Sequence, residues 1–389
     1  MGKSAFRRIE SVAAIGLLFW GLIESGRGSG LPPDVPTVLK AEPAPEWEAK
    51  FAGNKGWIGG DGVYSAVLPA RRVLWLFGDT LLGEVRDGRR DGAIMVNNTI
   101  GLQNGHGKEA AINFAAGRSR DGKAAAFFVP ADGRGWFWPQ AAICTGGRLF
   151  IFLAQIDKTG DPGVFGFRQV GQWLAVIENP DKEPKTWRPR QHKLPFASFE
   201  KGRSRSWGSA VLEGDDYLYI YGWEERGKQI GVRRLTVARV PTKKLDDFTA
   251  WRFRTAQGWS DQAADVVSQA DGLASEFSVS KMPGRKGYVV VYTENGLSDR
   301  ILARFAAAPE GPWSAPLLLY RCPEMTKDKG LFSYAAKAHV WAACPDELLV
   351  SYCVNTWDFA RLFREAKVYR PKFVRVRLSP AKETQGLSP

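Results

Sequence analysis

Histidine is scarce in this chain: only 3 of the 389 residues are histidine. A metal site with several histidine ligands, or catalysis by several histidines, is therefore nearly excluded. No apolar run reaches the ~20 residues that a membrane-spanning helix needs. Nucleophile-elbow, phosphate-loop and dinucleotide-binding patterns are also missing. Nothing in the sequence therefore points to the enzyme classes that depend on these motifs.

Cysteine is also rare, at four residues, and no two of them have CxxC spacing. That spacing is what zinc sites and thioredoxin-like redox sites need, so both are poorly supported. Cys344 and Cys353 flank a predicted hairpin, and an exported chain would permit a disulfide there. Buried free thiols, Cys144 and Cys322 among them, are an almost equally good interpretation, and the sequence leaves the pairing open.

The first 30 residues resemble a targeting segment. A basic start is followed by an apolar stretch of 12 residues, 12–23, which is short for a transmembrane helix and typical of a signal-peptide core. We expect residues 1–30 to be a signal peptide and residues 31–46 a linker. The protein is then secreted or periplasmic, with a retained N-terminal anchor as the alternative.

The chain carries a net charge of +13, from 54 basic and 41 acidic residues. Cleavage after residue 30 would remove four basic and two acidic side chains, which lowers the charge from +13 to +11. A basic protein favours anionic surroundings, so association with the cell envelope stays open. The basic residues are scattered, however, and the Arg-rich stretches 86–90 and 201–205 are short. We therefore interpret them as a solvated surface and expect no nucleic-acid partner.

Glycine and aromatic residues are abundant, with 42 Gly, 15 Trp and 22 Phe. They belong to a unit that recurs five times, in which short strands rich in aromatic and β-branched residues alternate with turns. The second strands of the units read VLWLFGDT (73–80), RLFIFLAQ (148–155), YLYIYGWE (217–224), YVVVYTEN (288–295) and LLVSYCVN (348–355). Equivalent positions in the preceding strands are Asp61, Pro139, Gly208, Glu276 and Lys337, at steps of 78, 69, 68 and 61 residues.

About four antiparallel strands per unit, repeated five times, predict an all-β fold, a five-bladed β-propeller over residues 47–380 with a tail at 381–389. Two β-sandwiches, or six blades with one degenerate, are the alternatives. Residues 104–135 are predicted to be an insertion or a surface loop.

The inner strands of a propeller start at the same end of the central channel, so residues at those starts meet in space. Folding the first hairpin about its turn near residues 69–72 places Asp79 beside Asp61, and Glu276 starts the fourth inner strand. Two carboxyl groups at one opening are what glycoside hydrolysis needs, one as acid and one as base or nucleophile. We predict Asp61 and Asp79 as the catalytic pair, with Glu276 third.

Aromatic and polar residues near the same strand starts are predicted to bind substrate. Flat aromatic faces suit the apolar faces of sugar rings. The predicted residues are Trp57, Asn98, Trp138, Gln140, Trp207, Lys337 and His339. A structural role is the competing interpretation for each of them.

The stretch GWIGGDGVYSAVLPARRVLWLFGDT (56–80), with MVNNTIGLQ (95–103) and YTENGLSDRILARFAAAPEGPWS (292–314), resembles a bacterial family of exported five-bladed propellers. That family was long described as a domain of unknown function, and some members are endo-acting arabinanases that cut D-arabinan. The resemblance covers most of residues 50–380 and implies an acidic pair at Asp61 and Asp79.

More distantly, the blades look like those of the arabinanase and β-xylosidase propellers. That resemblance implies Asp61 as general base and Glu276 as general acid. It also implies an acidic residue at position 140, where this chain has Gln140 after Trp138-Pro139. The departure weakens the distant resemblance.

Three functions compete on these observations. The first is a secreted glycoside hydrolase acting on a polysaccharide of arabinan or related type. The others are a propeller that binds glycans without cleaving them, and a polysaccharide lyase that uses Tyr334, Lys337 and His339. We expect a monomer with a carbohydrate substrate and no cofactor, while an axial metal such as calcium stays undetermined.

Overall fold

The computed structural model describes residues 35–161, 166–200, 202–227 and 232–381. The expected signal peptide, residues 1–30, lies outside them. The described residues are mostly strand, and none of their helices is long and apolar enough to cross a membrane. The fold is all-β, as predicted.

Up to residue 125 the strands are β1 (Val38–Pro43), β2 (Lys55–Gly60), β3 (Tyr64–Leu68), β4 (Arg72–Phe77), β5 (Thr80–Glu84), β6 (Ile94–Val96), β7 (Thr99–Asn104), β8 (Ile112–Ala115), β9 (Gly117–Arg118) and β10 (Ala124–Ala125). They are followed by β11 (Trp136–Thr145), β12 (Arg148–Lys158), β13 (Phe167–Ile177), β14 (Arg190–Lys193), β15 (Ser198–Glu200), β16 (Arg203–Glu213), β17 (Tyr217–Arg226), β18 (Arg233–Pro241), β19 (Arg252–Thr255), β20 (Gly258–Ser260) and β21 (Ala270–Leu273). The remaining strands are β22 (Phe277–Lys281), β23 (Tyr288–Thr293), β24 (Arg300–Ala306), β25 (Leu317–Arg321), β26 (Leu331–Ala338), β27 (Glu347–Thr356) and β28 (Lys372–Leu378).

Helices are few and short. The α-helices are α1 (Pro45–Glu48), α2 (Pro323–Lys327) and α3 (Arg361–Arg364). Single 3-10 turns cover Ala49–Phe51, Pro184–Thr186, Phe248–Ala250, Ala263–Asp265 and Val340–Ala342.

Five antiparallel sheets of four or more strands follow one another along the described chain, and two smaller sheets, β2-β5-β6 and β9-β10, accompany the first of them. The first is β3-β4-β7-β8, the second β11-β12-β13-β14, the fourth β22-β23-β24-β25 and the fifth β26-β27-β28-β1. The third is built on β16-β17-β18-β19, and β15, β20 and β21 extend it to seven strands. In four of these sheets the strand that comes first in the repeat forms one edge. In the third sheet the short β15 lies outside that strand. We call β3, β11, β16, β22 and β26 the inner strands.

The fifth sheet takes its outer strand from the other end of the described chain. Strand β1 pairs with β28, with Pro43 opposite Val374 and Val38 opposite Leu378. Without it the outer edge of β28 would have unpaired backbone groups. Residues 31–46, expected to be a linker, therefore contribute a strand to the fold. Residues 104–135, expected to be a loop, likewise contribute β8.

Apolar clusters fill the spaces between the sheets. One cluster lies between each pair of successive sheets, from the first and second to the fourth and fifth. A further cluster packs Trp75 and Phe77 of the first sheet against Leu349 and Phe373 of the fifth. Both faces of these five sheets therefore pack against apolar clusters, which explains why their central strands read as nearly continuous apolar runs.

The inner strands surround a cavity of about 330 Å³ that is lined by residues from all five of them. Three of these strands contain a β-bulge at the same point of the repeat, between Pro139 and Ala142, between Trp207 and Ala210, and between Tyr334 and Lys337. Bulges bend a strand and re-aim its side chains. Residues before each bulge lie at the end of the sheets where the inner strands start, which we call the mouth. The cavity is lined by residues further along the same strands, such as Ala142, Ala210 and Ala338.

All four cysteines are free thiols, and Cys322 and Cys353 are buried. The disulfide that the sequence left open between Cys344 and Cys353 is not formed.

Candidate active site

Asp61 and Asp79 face each other across a break in the first hairpin. Strands β3 and β4 pair with Tyr64 opposite Leu76, while β2 and β5 pair with Gly60 opposite Thr80. Between these two ladders the Asp61 N–H donates to the Asp79 carbonyl at 3.3 Å, and the Gly78 N–H donates to the Asp61 carbonyl at 3.0 Å. The predicted juxtaposition of the two residues is therefore present in the structure.

Glycine at position 78 leaves room for the Asp61 side chain. A Cβ at that position would lie 2.5 Å from Asp61 Oδ1, which is far inside van der Waals contact. Gly62 has φ +81°, a conformation that glycine adopts without strain. The GGDG (59–62) and FGDT (77–80) sequences thus let the Asp61 carboxylate lie against Gly78 on the facing stretch of the hairpin.

Both carboxyl groups are half-buried and carry hydrogen bonds from different sheets. The Tyr334 hydroxyl of β26 donates to Asp61 Oδ2 at 2.7 Å. On the other side, Trp138 Nε1 of β11 donates to Asp79 Oδ1 at 2.9 Å, and Asn97 Nδ2 donates to the same oxygen at 3.3 Å. The pair therefore lies at the mouth, between the fifth sheet and the second.

Burial raises the pKa of both acids, and nearby negative charge raises that of Asp61 further. The pKa of Asp61 rises to about 8, chiefly because burial disfavours its charged form and also because the charges of Asp79 and Glu276 are near. The pKa of Asp79 rises to about 6 through burial, opposed by the hydrogen bonds from Trp138 and Asn97 that stabilise its charged form. Between these values the pair holds one proton.

Glu276 precedes β22 and reaches the same mouth. Its Oε1 lies 3.2 Å from Lys337 Nζ, and Lys337 also donates to the Ala335 carbonyl at 2.8 Å. The ammonium lies 4.2 Å from the centre of the Tyr64 ring. Lys337 is thus held as the counter-ion of Glu276, so a separate substrate-binding role for Lys337 is not supported.

Three of the eight non-glycine residues with positive φ in the described chain lie near the two aspartates. Val63, Ala335 and Tyr369 all have positive φ, at 53°, 58° and 62°. Side chains other than glycine rarely adopt this conformation, and such strain gathers at functional sites. Tyr369 uses it to place its hydroxyl 2.9 Å from the Asp79 carbonyl oxygen. The mouth is therefore a region where the fold maintains unfavourable local geometry.

Two of the three predicted tryptophan platforms are core residues. Trp57 is 3% exposed and stacks on Phe114 at 4.7 Å, while Trp207 is 0% exposed and packs against Phe253. Their ring faces are covered by neighbouring side chains, so the prediction that they bind a sugar is wrong. Trp138, which is half-buried, does border the acidic pair.

The prediction that Asn98 binds substrate is wrong, and its neighbour Asn97 faces the acidic pair instead. It is fully buried, and its amide bonds the backbone of Phe128 and Phe137. Adjacent residues of an extended chain point in opposite directions, so Asn97 faces Asp79 while Asn98 faces the interior.

Gln140 and His339 also have structural partners. Gln140 is buried and accepts a hydrogen bond from Gln172 Nε2 at 3.0 Å. His339 bonds Ser65 Oγ at 2.7 Å and Ser351 Oγ at 2.8 Å, which occupies both ring nitrogens. Burial, with the nearby charge of Lys337, lowers the pKa of His339 to about 3, so the ring is neutral. Neither residue is placed to bind substrate as predicted.

The sequence reasoning missed Asn97 and Tyr369 and gave Tyr334 only a role in a lyase. Asn97 lies in the stretch 95–103 that carries the family resemblance, but the contacts of both residues depend on strand breaks that have no sequence signature. Among the described residues, no group of three or more His, Cys, Asp or Glu side chains is placed to hold a metal ion.

Comparison with solved structures finds a protein that shares this fold, and others that are less similar. A candidate hydrolase from Bacteroides ovatus superimposes with a TM-score of 0.70 at 19% identity, covering 86% of this chain and 90% of that one. An α-L-arabinofuranosidase from Podospora anserina, solved with cellotriose, gives 0.49 at 12% identity, covering 90% and 100%. A GH43_1 enzyme from Xanthomonas citri, solved with xylose, gives 0.46 at 14%, covering 89% and 100%.

No curated protein matches the chain by sequence. A family model does match, over residues 45–379, which includes β2 to β28 and the whole mouth. The chain therefore belongs to the family of the domain of unknown function DUF5005.

Proposed function

We propose that this protein is a glycoside hydrolase that cleaves a polysaccharide of arabinan or related type. The observation that carries the proposal is the pair Asp61 and Asp79: two adjacent, half-buried carboxyl groups at the mouth, where the inner strands start. Glycosidases need two such groups with different pKa values, one to donate a proton and one to act as base or nucleophile.

The surroundings of the two acids suggest how the roles divide. Asp61, with the higher pKa, is protonated near neutral pH and serves as the general acid that protonates the leaving oxygen. Asp79 is ionised above about pH 6 and is oriented by Trp138 and Asn97, so it activates water or attacks the anomeric carbon. This division differs from the one implied by the distant resemblance, in which Asp61 is the base.

Glu276 is a poorer general acid than Asp61. Its partner Lys337 is nearly fully buried and has no carboxylate besides Glu276 within ion-pair distance among the described residues. Protonating Glu276 would leave that ammonium buried without a counter-ion, which is costly. We therefore assign Glu276 to the electrostatic support of the pair, where its charge raises the pKa of Asp61.

The wider expectations become part of the same proposal. We propose that the five sheets are the blades of a five-bladed β-propeller, supported by the apolar clusters between successive sheets and between the fifth and the first. Export, with residues 1–30 as a signal peptide, is proposed from the sequence alone.

The pH dependence of activity should be bell-shaped. Activity should rise as Asp79 loses its proton near pH 6 and fall as Asp61 loses its proton near pH 8. Initial rates of reducing-sugar release between pH 4 and pH 10 measure both limbs. A rate that keeps rising through pH 9 would contradict the role of Asp61 as acid.

The function itself is tested by incubating the purified protein from residue 31 with a panel of polysaccharides that includes arabinan. New reducing ends without an absorbance rise near 235 nm are expected. An absorbance rise would instead show an unsaturated product and a lyase, and saturable binding with no product would show a glycan-binding protein.

A further inference from the structure

Two large aromatic side chains are exposed beside the mouth. Trp357 is 52% exposed and Phe359 is 41% exposed. Among the exposed large hydrophobic side chains of the described residues, these two are aromatic. Isolated exposed apolar residues are ordinary, but two aromatic ones next to a candidate site suggest a binding surface.

Trp357 belongs to the same end of the fifth sheet as the catalytic pair. It directly follows β27, whose last residue, Thr356, pairs with Leu331 at the start of the inner strand β26. From Asp61 a line of aromatic rings leads outwards: the Tyr334 ring lies 5.6 Å from that of Phe332, and Phe332 lies 4.5 Å from Trp357. Trp357 is thus two ring-to-ring contacts away from a residue that bonds Asp61.

The Trp357 ring is supported from below. Phe332, which is 3% exposed, covers part of one side of the ring at an interplanar angle of 42°. The backbone N–H of Trp357 donates to the Gly330 carbonyl at 3.1 Å, which fixes the main chain that carries the ring. An aromatic ring that is anchored in this way presents a large rigid surface and loses little conformational entropy when a ligand binds it.

Polar groups accompany this ring, as recognition of a sugar requires. Asn355 is half-buried and lies two residues before Trp357 in the chain. Its Nδ2 donates to the Tyr334 hydroxyl at 3.4 Å. A sugar ring has an apolar face for stacking and a rim of hydroxyls for hydrogen bonds, and a surface that offers both next to two carboxyl groups fits a glycan better than an apolar partner.

We propose that Trp357, supported by Phe332, is a glycan subsite that stacks on a sugar ring of the polysaccharide beside the bond held at Asp61 and Asp79. The proposal rests on the proposed function for the bond that is cleaved, while the stacking itself requires only that the mouth bind a glycan. A second aromatic group, Trp138 with Phe167 at 4.9 Å, lies on the Asp79 side of the pair.

The test measures binding of the protein from residue 31 to an array of polysaccharides and graded oligosaccharides that includes arabinan. The proteins compared are wild type, Trp357→Ala, Trp357→Phe and the control Trp259→Ala. Trp259 is half-buried in β20, in the outer part of the third sheet, where it packs against Arg239. Thermal melting of each variant shows whether it is folded.

Trp357→Ala is expected to weaken binding of the longer glycans by roughly threefold to tenfold, as for loss of one aromatic contact. Trp357→Phe should retain most of the affinity, and Trp259→Ala should match wild type. Equal affinity of Trp357→Ala and wild type, equal losses in Trp357→Ala and Trp259→Ala, or no glycan bound by wild type would each overturn the subsite.

The subsite and the proposed function fail in different ways. A protein that binds glycans through Trp357 but releases no reducing sugar keeps the subsite and loses the hydrolase. A protein that cleaves a polysaccharide with the same KM in wild type and Trp357→Ala keeps the hydrolase and loses the subsite.

Discussion

Replacing Asp79 with asparagine is expected to lower the rate of sugar release at least about 100-fold, as for loss of a catalytic acid or base. The amide cannot activate water or attack a sugar carbon. It keeps the shape of the carboxylate, and its Oδ1 can still accept the hydrogen bonds from Trp138 and Asn97. The measurement is reducing-sugar release by Asp79→Asn on whichever polysaccharide the wild type cleaves. Asp61→Asn is expected to behave similarly.

The stability of the same variant separates a catalytic from a structural role. The pKa of Asp79 is about 6 in the folded protein and about 3.9 when unfolded, so the native state binds more protons between these values. The free energy of unfolding of wild type therefore falls as the pH rises from about 4 to about 6 because of this group, and the deficit persists above pH 6. Asparagine does not titrate, so Asp79→Asn should melt at a higher temperature than wild type at pH 7.

A loss of activity together with a gain in melting temperature is the expected combination. Full activity of Asp79→Asn would remove Asp79 from the mechanism. Loss of activity together with a lower melting temperature would assign the residue to the fold instead.

Replacing Arg90 with methionine should lower the free energy of unfolding by about 3 kcal/mol or more. Arg90 is fully buried, and among the described residues no carboxylate forms an ion pair with it. Its guanidinium donates instead to five backbone carbonyls, those of Ile58, Leu362, Glu365, Ala366 and Val368, at 2.6–3.5 Å. Methionine would leave these carbonyls without their donor.

The effect should extend to the mouth. Arg90 ties residues 362–368 to strand β2, and this segment leads directly to Tyr369, whose hydroxyl bonds the Asp79 carbonyl. Chemical denaturation measures the loss of stability, and Arg89→Ala is the matched control. Arg89 is exposed and paired with Asp91 at 3.0 Å, an arrangement worth at most about 1 kcal/mol. An Arg90→Met protein as stable as Arg89→Ala would show that other contacts hold the segment.

The repeat could be read from the sequence because burial on both sides of every sheet imposes a pattern. Strands such as VLWLF (73–77) and LFIFL (149–153) are apolar throughout, and turns separate them at regular steps. The same regularity placed Asp61 opposite Asp79, since a hairpin of known turn position fixes which residues meet. The outer strands were harder to recognise, since β1 comes from the opposite end of the described chain.

The sequence by itself determined the all-β fold, the repeat and the juxtaposition of Asp61 and Asp79, because these follow from periodicity and hairpin geometry. Only the tertiary structure decided which neighbours complete the site. Trp57 and Trp207 are covered by side chains that are distant in sequence, and Asn97 rather than Asn98 faces the mouth because the chain breaks between ladders there. The pKa values of the two acids have the same origin. Burial by other sheets raises both, the charge of Glu276 raises that of Asp61 further, and the hydrogen bonds from Tyr334 and Trp138 oppose these effects.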